Sequence, residues 1–157
     1  MGKEGGIMPL LSARDQDYLR KRFAEELVDP VTITLYTQRL AQLQLPGYEC
    51  ATCREANELY SELAQLSEKV KLEVVDFLQA QAEARTAGVT DIPTAVFSGK
   101  NAGTVRYVGL PAGYEFAVLI EDLADLSRGT TRLTPLSRET LAKLPAPAHI
   151  KVFVTPT

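Results

Sequence analysis

The hydrophobic residues of this chain follow two different spacings, which divide it into helical and extended segments. Three segments repeat hydrophobic residues every three or four positions, and this spacing predicts helices with one apolar face. Their apolar residues are Leu19, Phe23 and Leu27; Ala56, Leu59, Tyr60, Leu63 and Leu66; and Phe116, Leu119, Ile120, Leu123 and Leu126. The end signals agree, since Ser12 to Asp15 fits a capping box, Pro30 stops the first helix and Gly129 stops the last.

Between these helices lie shorter segments with the composition of β-strands. They are rich in β-branched and aromatic residues, and turn-forming residues separate them from their neighbours. We predict strands over 31–37, 70–75, 92–97 and 104–108. A further run of helix-forming residues over 79–87 predicts a helix that ends at Gly88.

The order of these elements predicts how the sheet is built. After the opening helix it is strand, helix, strand, helix, strand, strand, helix. The first three strands are joined by helices and should run parallel, whereas the last two are joined by a short loop and should run antiparallel. Helices should then cover both faces of the sheet. The predicted fold class is α/β, with a four-stranded mixed sheet flanked by helices and an extra N-terminal helix.

The end of the chain repeats the order of its beginning. Thr134 followed by Pro135 is an N-cap with proline at the first helical position, and a short helix should run to about Leu144. A predicted strand over 150–154 follows. Helix, proline and strand come in the same order over 12–37, so we interpret the tail as the start of a second unit that the chain does not finish.

We therefore divide the chain into a first unit over 1–129 and the opening of an incomplete second unit over 130–157. The final strand has one apolar, β-branched face. An unpartnered apolar strand favours pairing with another strand. We expect segment 149–155 to pair with a neighbouring molecule or to dock on the first unit, because burying a large apolar side chain contributes about 1.5–3 kcal/mol.

Composition narrows the class of protein. With 45% hydrophobic and 24% charged residues, the chain matches an ordinary globular protein, and no run is long enough to span a membrane. The first six residues lack the apolar core of a signal peptide. We predict a cytoplasmic protein with no membrane partner. A net charge of −3 leaves no basic footprint, which argues against nucleic acid as a partner.

The candidate chemistry lies in Cys50 and Cys53, the only two cysteines, spaced as Cys-x-x-Cys at the start of a predicted helix. Amide groups at a helix N-terminus favour an anion, and the thiolate is the form of cysteine that attacks disulfides. Glu49 would oppose this thiolate and Arg54 would favour it. Because structural disulfides are rare in the cytoplasm, we interpret the pair as a dithiol–disulfide redox centre.

A zinc site is the alternative use of two cysteines. The chain adds only one histidine, His149, and three ligands are fewer than a closed structural site requires. A zinc site shared across a dimer stays open as an alternative. We predict no metal and no cofactor apart from the redox-active disulfide itself.

Two stretches resemble a known family, namely residues 105–116 (VRYVGLPAGYEF) and residues 152–157 (VFVTPT). With the Cys-x-x-Cys motif, they resemble the thioredoxin superfamily and, more narrowly, the protein disulfide oxidoreductases of thermophilic prokaryotes, also called glutaredoxin-like proteins. Those proteins carry two thioredoxin-fold units in tandem, and the run at 152–157 leads there into a second Cys-x-x-Cys. The resemblance implies a thioredoxin-like fold for the first unit.

The resemblance also implies roles for particular residues. Cys50 would be the attacking cysteine and Cys53 the resolving one, in thiol–disulfide exchange on protein disulfides and dithiols. Pro93 would follow a cis peptide bond and turn the backbone of Ile92 and Thr94 towards the substrate. A thioredoxin-reductase-like flavoprotein is then a candidate electron donor, and the implied process is cell redox homeostasis.

Two departures from the family pattern bear on this interpretation. Segment 38–49 separates the first strand from the motif, where the family has only a few residues. Thioredoxins also carry a buried carboxylate on that strand, whereas residues 31–37 offer only Thr and Tyr hydroxyls. An alternative function is a non-catalytic scaffold or substrate-binding unit. The thioredoxin-like N-terminal domain of a peroxide-reductase flavoprotein is a weaker alternative, since we find no flavin-binding segment in the sequence.

Overall fold

A computed structural model describes residues 9–38, 50–101 and 103–155. Its elements, in chain order, are α1 Ala13–Glu26, β1 Val31–Thr37, α2 Cys53–Gln65, β2 Val70–Asp76, α3 Gln81–Thr86, β3 Thr94–Ser98, β4 Val105–Val108, α4 Tyr114–Arg128 and α5 Pro135–Ala142. Every one of these elements was predicted, with ends shifted by a few residues. Of segment 38–49, which separates the first strand from the cysteine motif, residues 39–49 lie outside the described residues.

The helix ends confirm the capping signals in the sequence. Ser12 Oγ accepts a hydrogen bond from the backbone N–H of Asp15 at 3.2 Å, which satisfies one of the free amides that begin α1. Gly129 ends α4 with φ 68°, a left-handed conformation that strains other residues. Within the described ranges, no helix has the length and hydrophobicity needed to cross a bilayer.

The sheet is mixed and has the strand order β2-β1-β3-β4. Strand β1 pairs with β2 in parallel, from Val31 opposite Val70 to Thr37 opposite Asp76. Strand β3 runs antiparallel to both β1 and β4. The antiparallel pairing of the last two strands was predicted correctly.

The prediction that the first three strands are all parallel is wrong for β3. A parallel crossover must carry the chain back along the whole preceding strand. Helix α3 has six residues and spans roughly 9 Å, whereas the seven residues of β2 span roughly 23 Å. Helix α3 by itself does not cover that distance, and β3 begins at the end of the sheet where β1 and β2 end and runs the other way.

The two faces of the sheet are covered unequally. Val31, Ile33 and Leu35 of β1 point to one face and pack in the main core with α1, α2 and α4. The other face carries a smaller cluster, in which Tyr36 packs with Ala84 of α3 and its neighbours. Helices therefore cover both faces, as predicted, but among the described residues the second face has only the short helix α3.

The tail after Gly129 makes little contact with this core. Helix α5 has no buried residue. The predicted strand over 150–154 is not formed, and the side chains of Ile150 and Phe153 are 82% and 89% exposed. The expectation that this segment docks on the first unit is therefore wrong for the isolated chain: among the described residues, 150–155 pairs with neither of the outer strands, β2 and β4. Pairing with a second molecule stays a prediction.

We predict that deleting 130–157 leaves the first unit folded. The main charged contact between the deleted segment and the first unit is the ion pair of Arg132 with Glu121. The Arg132 side chain is 67% exposed, and surface ion pairs of this kind contribute little to the free energy of unfolding. The midpoint of thermal unfolding should fall by no more than about 3 °C. Light scattering should show less self-association than for the full chain.

The full chain with Phe153→Asp is the matched control, because it places a charge on the exposed apolar segment without removing it. It should lower self-association as the deletion does. If the shortened chain fails to fold, the boundary at Gly129 is wrong.

Candidate active site

The two cysteines are joined by a disulfide at the start of α2. Their sulfur atoms lie 1.99 Å apart and their Cα atoms 5.5 Å apart. Cys53 is the first residue of α2 and is 1% exposed, whereas Cys50 precedes the helix and is half-buried. The two sulfurs therefore differ in their access to solvent.

The packing of α2 explains this difference. Cys53 begins the same apolar stripe as Ala56 and Tyr60, which are fully buried against the sheet. A residue on that stripe must face inward. Cys50 lies outside the helical stripe, and its backbone N–H donates to the side-chain oxygen of Gln38 at 3.3 Å, next to the end of β1.

The loop before β3 is tied down by hydrogen bonds. The peptide bond between Ile92 and Pro93 is cis, as the resemblance implies. Thr94 Oγ1 donates to the carbonyl of Asp91 at 2.6 Å, and the N–H of Gly109 donates to the carbonyl of Pro93 at 2.8 Å. These two hydrogen bonds hold the loop to its own backbone at Asp91 and to Gly109, just after β4.

A groove of about 360 Å³ joins this loop to the disulfide. Its lining consists of Gln38, Cys50, Phe77, Leu78, Gln81, Thr90, Asp91 and Ile92. Of the residues expected to bind substrate, the structure places Ile92 in the groove, half-buried. Pro93 and Thr94 are buried beneath it, and Thr94 is 1% exposed with strands on both sides. Any contact of Thr94 with a substrate would have to be made through its backbone.

A buried carboxylate lies at the end of the neighbouring strand. Asp76 is 8% exposed, and its Oδ1 accepts the backbone N–H groups of Leu78 and Gln79 at 3.0 and 3.2 Å. Asp76 is opposite Thr37 in the β1–β2 pairing, and strand alternation turns both side chains to the face that carries α2. Within the described residues, Asp76 Oδ2 and Thr37 Oγ1 have no hydrogen-bond partner.

We did not identify Asp76 from the sequence, nor the groove residues other than Cys50 and Ile92. The predicted strand stopped at residue 75, one position before Asp76. An aspartate just after a strand and before a helix is a common turn-forming signal and could have marked this position. The groove residues Phe77, Leu78 and Gln81 carry no motif, since they share only a place at one edge of the sheet.

The charges around the disulfide are modest. The guanidinium of Arg54, whose side chain is 65% exposed, lies 3.7 Å from a carboxylate oxygen of Glu58 and 3.9 Å from one of Glu55. Its expected support of a Cys50 thiolate is therefore partly offset by its own neighbours. Glu49 lies outside the described residues. In the part of the chain that the structure describes, no cluster of three metal-ligating side chains occurs, and His149 is exposed in the tail.

Comparison with known proteins decides the fold. No family model and no curated protein matches the sequence. A protein disulfide oxidoreductase from Aeropyrum pernix superposes with a TM-score of 0.70 at 26% identity, over 85% of this chain and 55% of that one. The alkylhydroperoxide reductase AhpF of Enterococcus faecalis gives 0.69 at 18% identity, over 86% and 61%. The chain has a thioredoxin-like fold.

The match to this chain spans 55% of the Aeropyrum pernix chain and 61% of the Enterococcus faecalis chain. The mixed four-stranded sheet of this chain, its flanking helices and its cysteine pair at the start of a helix agree with the resemblance in the sequence. The added helix α1 packs on the same side of the sheet as α2, through Leu19 and Phe23.

We predict that Cys50 is the reactive thiol after reduction. Limiting iodoacetamide near neutral pH should label Cys50 in about tenfold excess over Cys53, because only Cys50 combines access with the amides of a helix start. Peptide mapping by mass spectrometry measures the two adducts. The single variants Cys50→Ser and Cys53→Ser serve as controls for each adduct. Predominant labelling of Cys53 would overturn the assignment.

Proposed function

We propose that this protein is a protein thiol–disulfide oxidoreductase with Cys50 and Cys53 as its redox pair. One observation carries the proposal: a half-buried sulfur opens on a groove beside a cis-proline loop, and its partner sulfur is buried one helical turn away. A two-step exchange needs this arrangement, because one sulfur must be accessible to attack the substrate disulfide and the other must be shielded until it resolves the mixed disulfide.

The reductive reaction would proceed in two displacements. The Cys50 thiolate attacks one sulfur of a substrate disulfide, which forms a mixed disulfide and releases the other substrate sulfur as a thiolate. Cys53 then loses its proton and attacks the Sγ of Cys50, which forms the Cys50–Cys53 disulfide and releases the second substrate thiolate. Two electrons pass to the substrate, and both of its thiolates take protons from solvent.

Local structure supports each displacement. Free amide groups at the start of α2 favour the Cys50 thiolate, both as attacking group and as leaving group. Asp76 is our candidate for the group that accepts the proton of Cys53, because it supplies a buried carboxylate oxygen at the sheet edge where α2 begins. In reverse, the same steps oxidise a dithiol, and the potential of the pair relative to that of the cell sets the direction.

Substrates and partners follow from the same chemistry. The groove is open to solvent at Leu78 and Asp91, so we infer protein disulfides and dithiols as substrates. An electron donor must return the pair to the dithiol after each turnover, and a thioredoxin-reductase-like flavoprotein would serve.

Two alternatives remain as competing proposals. The chain could act as a scaffold or substrate-binding unit whose own cysteines do not turn over. It could also pass electrons within a peroxide-reducing system, a role suggested by the name of the Enterococcus faecalis neighbour, whose identity of 18% speaks for the fold alone. The second alternative keeps the same exchange chemistry at Cys50. A measurement of electron transfer from this chain to a peroxide-reducing partner would distinguish it from general protein disulfide exchange.

The test is reduction of insulin disulfides by dithiothreitol, followed by turbidity. The wild-type protein should accelerate the reaction, and Cys50→Ser should abolish the acceleration because no attacking thiolate remains. In a separate experiment, Cys53→Ser that has been reduced, freed of dithiothreitol and mixed with insulin should accumulate a mixed disulfide through Cys50, visible by mass spectrometry, because neither Cys53 nor a small thiol is present to resolve it. Equal rates for the wild type and Cys50→Ser would favour the scaffold.

A further inference from the structure

The groove beside Cys50 has an uneven distribution of charge. Asp91 is the one residue of its described lining with a formal charge, and it is exposed. Within the described lining, a substrate that enters the groove therefore meets a single carboxylate among uncharged side chains.

Asp91 is held in place by its neighbours. The hydroxyl of Thr90 donates to Asp91 Oδ2 at 2.7 Å, and that of Thr94 donates to its backbone carbonyl at 2.6 Å. Asp91 directly precedes Ile92 and the buried Pro93, so its position relative to Cys50 is fixed by the same loop. A charge on a fixed loop acts on one place in the substrate and not on its whole surface.

Part of the groove lining is apolar. Phe77 is half-buried in it, and Leu78 is 39% exposed, so both side chains are accessible to a substrate. With Ile92 these side chains offer contact area to an apolar group, whereas Asp91 and the amides of Gln38 and Gln81 offer hydrogen bonds. Sites for small ligands and peptides commonly combine an apolar wall with a few polar groups that set orientation.

The geometry points to a substrate preference: we infer that Asp91 selects disulfides flanked by a lysine or arginine, with an apolar residue beside them. This inference rests on the proposed function and names its substrate class. An anionic disulfide such as oxidised glutathione should be disfavoured, because its carboxylates would approach Asp91. Like charges lower the rate of encounter and opposite charges raise it, and both effects weaken with salt.

The experiment uses two cystine-linked peptide dimers that differ only in the residue after cysteine, lysine in one and glutamate in the other. Dithiothreitol returns the Cys50–Cys53 disulfide to the dithiol in each cycle. At an ionic strength of about 20 mM, the wild type should reduce the lysine peptide with a kcat/KM about fivefold higher, the size expected when an exposed attraction replaces a repulsion. The ratio should approach one at about 500 mM salt.

Variants locate the effect. Asp91→Asn keeps an acceptor for Thr90 and should remove the preference, and Asp91→Lys should reverse it. Asp17→Lys is the matched control for Asp91→Lys, because it changes the net charge by the same amount at a position of α1 where the side chain is 72% exposed. It should leave the ratio of kcat/KM for the two peptides unchanged. Thermal unfolding of each variant shows that it is folded before its rates are compared.

The outcomes separate this inference from the proposed function. Equal rates on the two peptides, or a preference that persists in Asp91→Asn, would overturn the role of Asp91 while leaving the redox function intact. A wild-type protein that reduces neither peptide nor insulin would overturn both. A ratio that is insensitive to salt would show that charge is not the cause and would also overturn the inference.

Discussion

The packing of α2 on the sheet, over β1 and β2, is the contact on which the rest of the structure depends. Ala56, Tyr60 and Leu63 of the apolar stripe of α2 belong to the same core cluster as Ile33 and Leu35 of β1, and all five are fully buried. Each large apolar side chain removed from water in this way contributes about 1.5–3 kcal/mol. The same stripe turns Cys53 inward and leaves Cys50 at the open end of the helix, so the packing that stabilises the fold also makes the two sulfurs unequal.

The direction of β3 completes the site. Because β3 runs against β1, it begins at the edge where β1 and β2 end, which is also the edge where α2 begins. The cis-proline loop therefore lies beside Cys50, and the turn after Asp76 forms the other wall of the groove. A parallel β3 would have put Pro93 at the far edge of the sheet, so the antiparallel pairing is what brings the loop and the disulfide together.

An aromatic cluster ties the strands beside the site to the helices. The ring of Phe97 packs edge-on against Tyr60 and Tyr107, with centroids 6.1 and 5.3 Å away. Tyr107 donates to Asp122 of α4 at 2.6 Å. Burial raises the pKa of Tyr60, with a smaller effect of Glu115, and burial together with the hydrogen bond to Asp122 raises the pKa of Tyr107. Both phenols therefore stay neutral at ordinary pH, and the cluster holds α2, β3, β4 and α4 together without a buried charge.

The sequence by itself determined the elements and the chemistry. Spacing and end signals located the helices and strands, the order of elements indicated the α/β class, and the spacing of Cys50 and Cys53 indicated their pairing. These are local properties, which neighbouring residues carry in the chain. The sequence could not determine the direction of β3, the existence of the groove or the position of the charged Asp91 beside Cys50. These features depend on which strands pair and in which direction. That pairing is decided by the competition for hydrogen bonds across the whole sheet, together with the short α3 connection between β2 and β3.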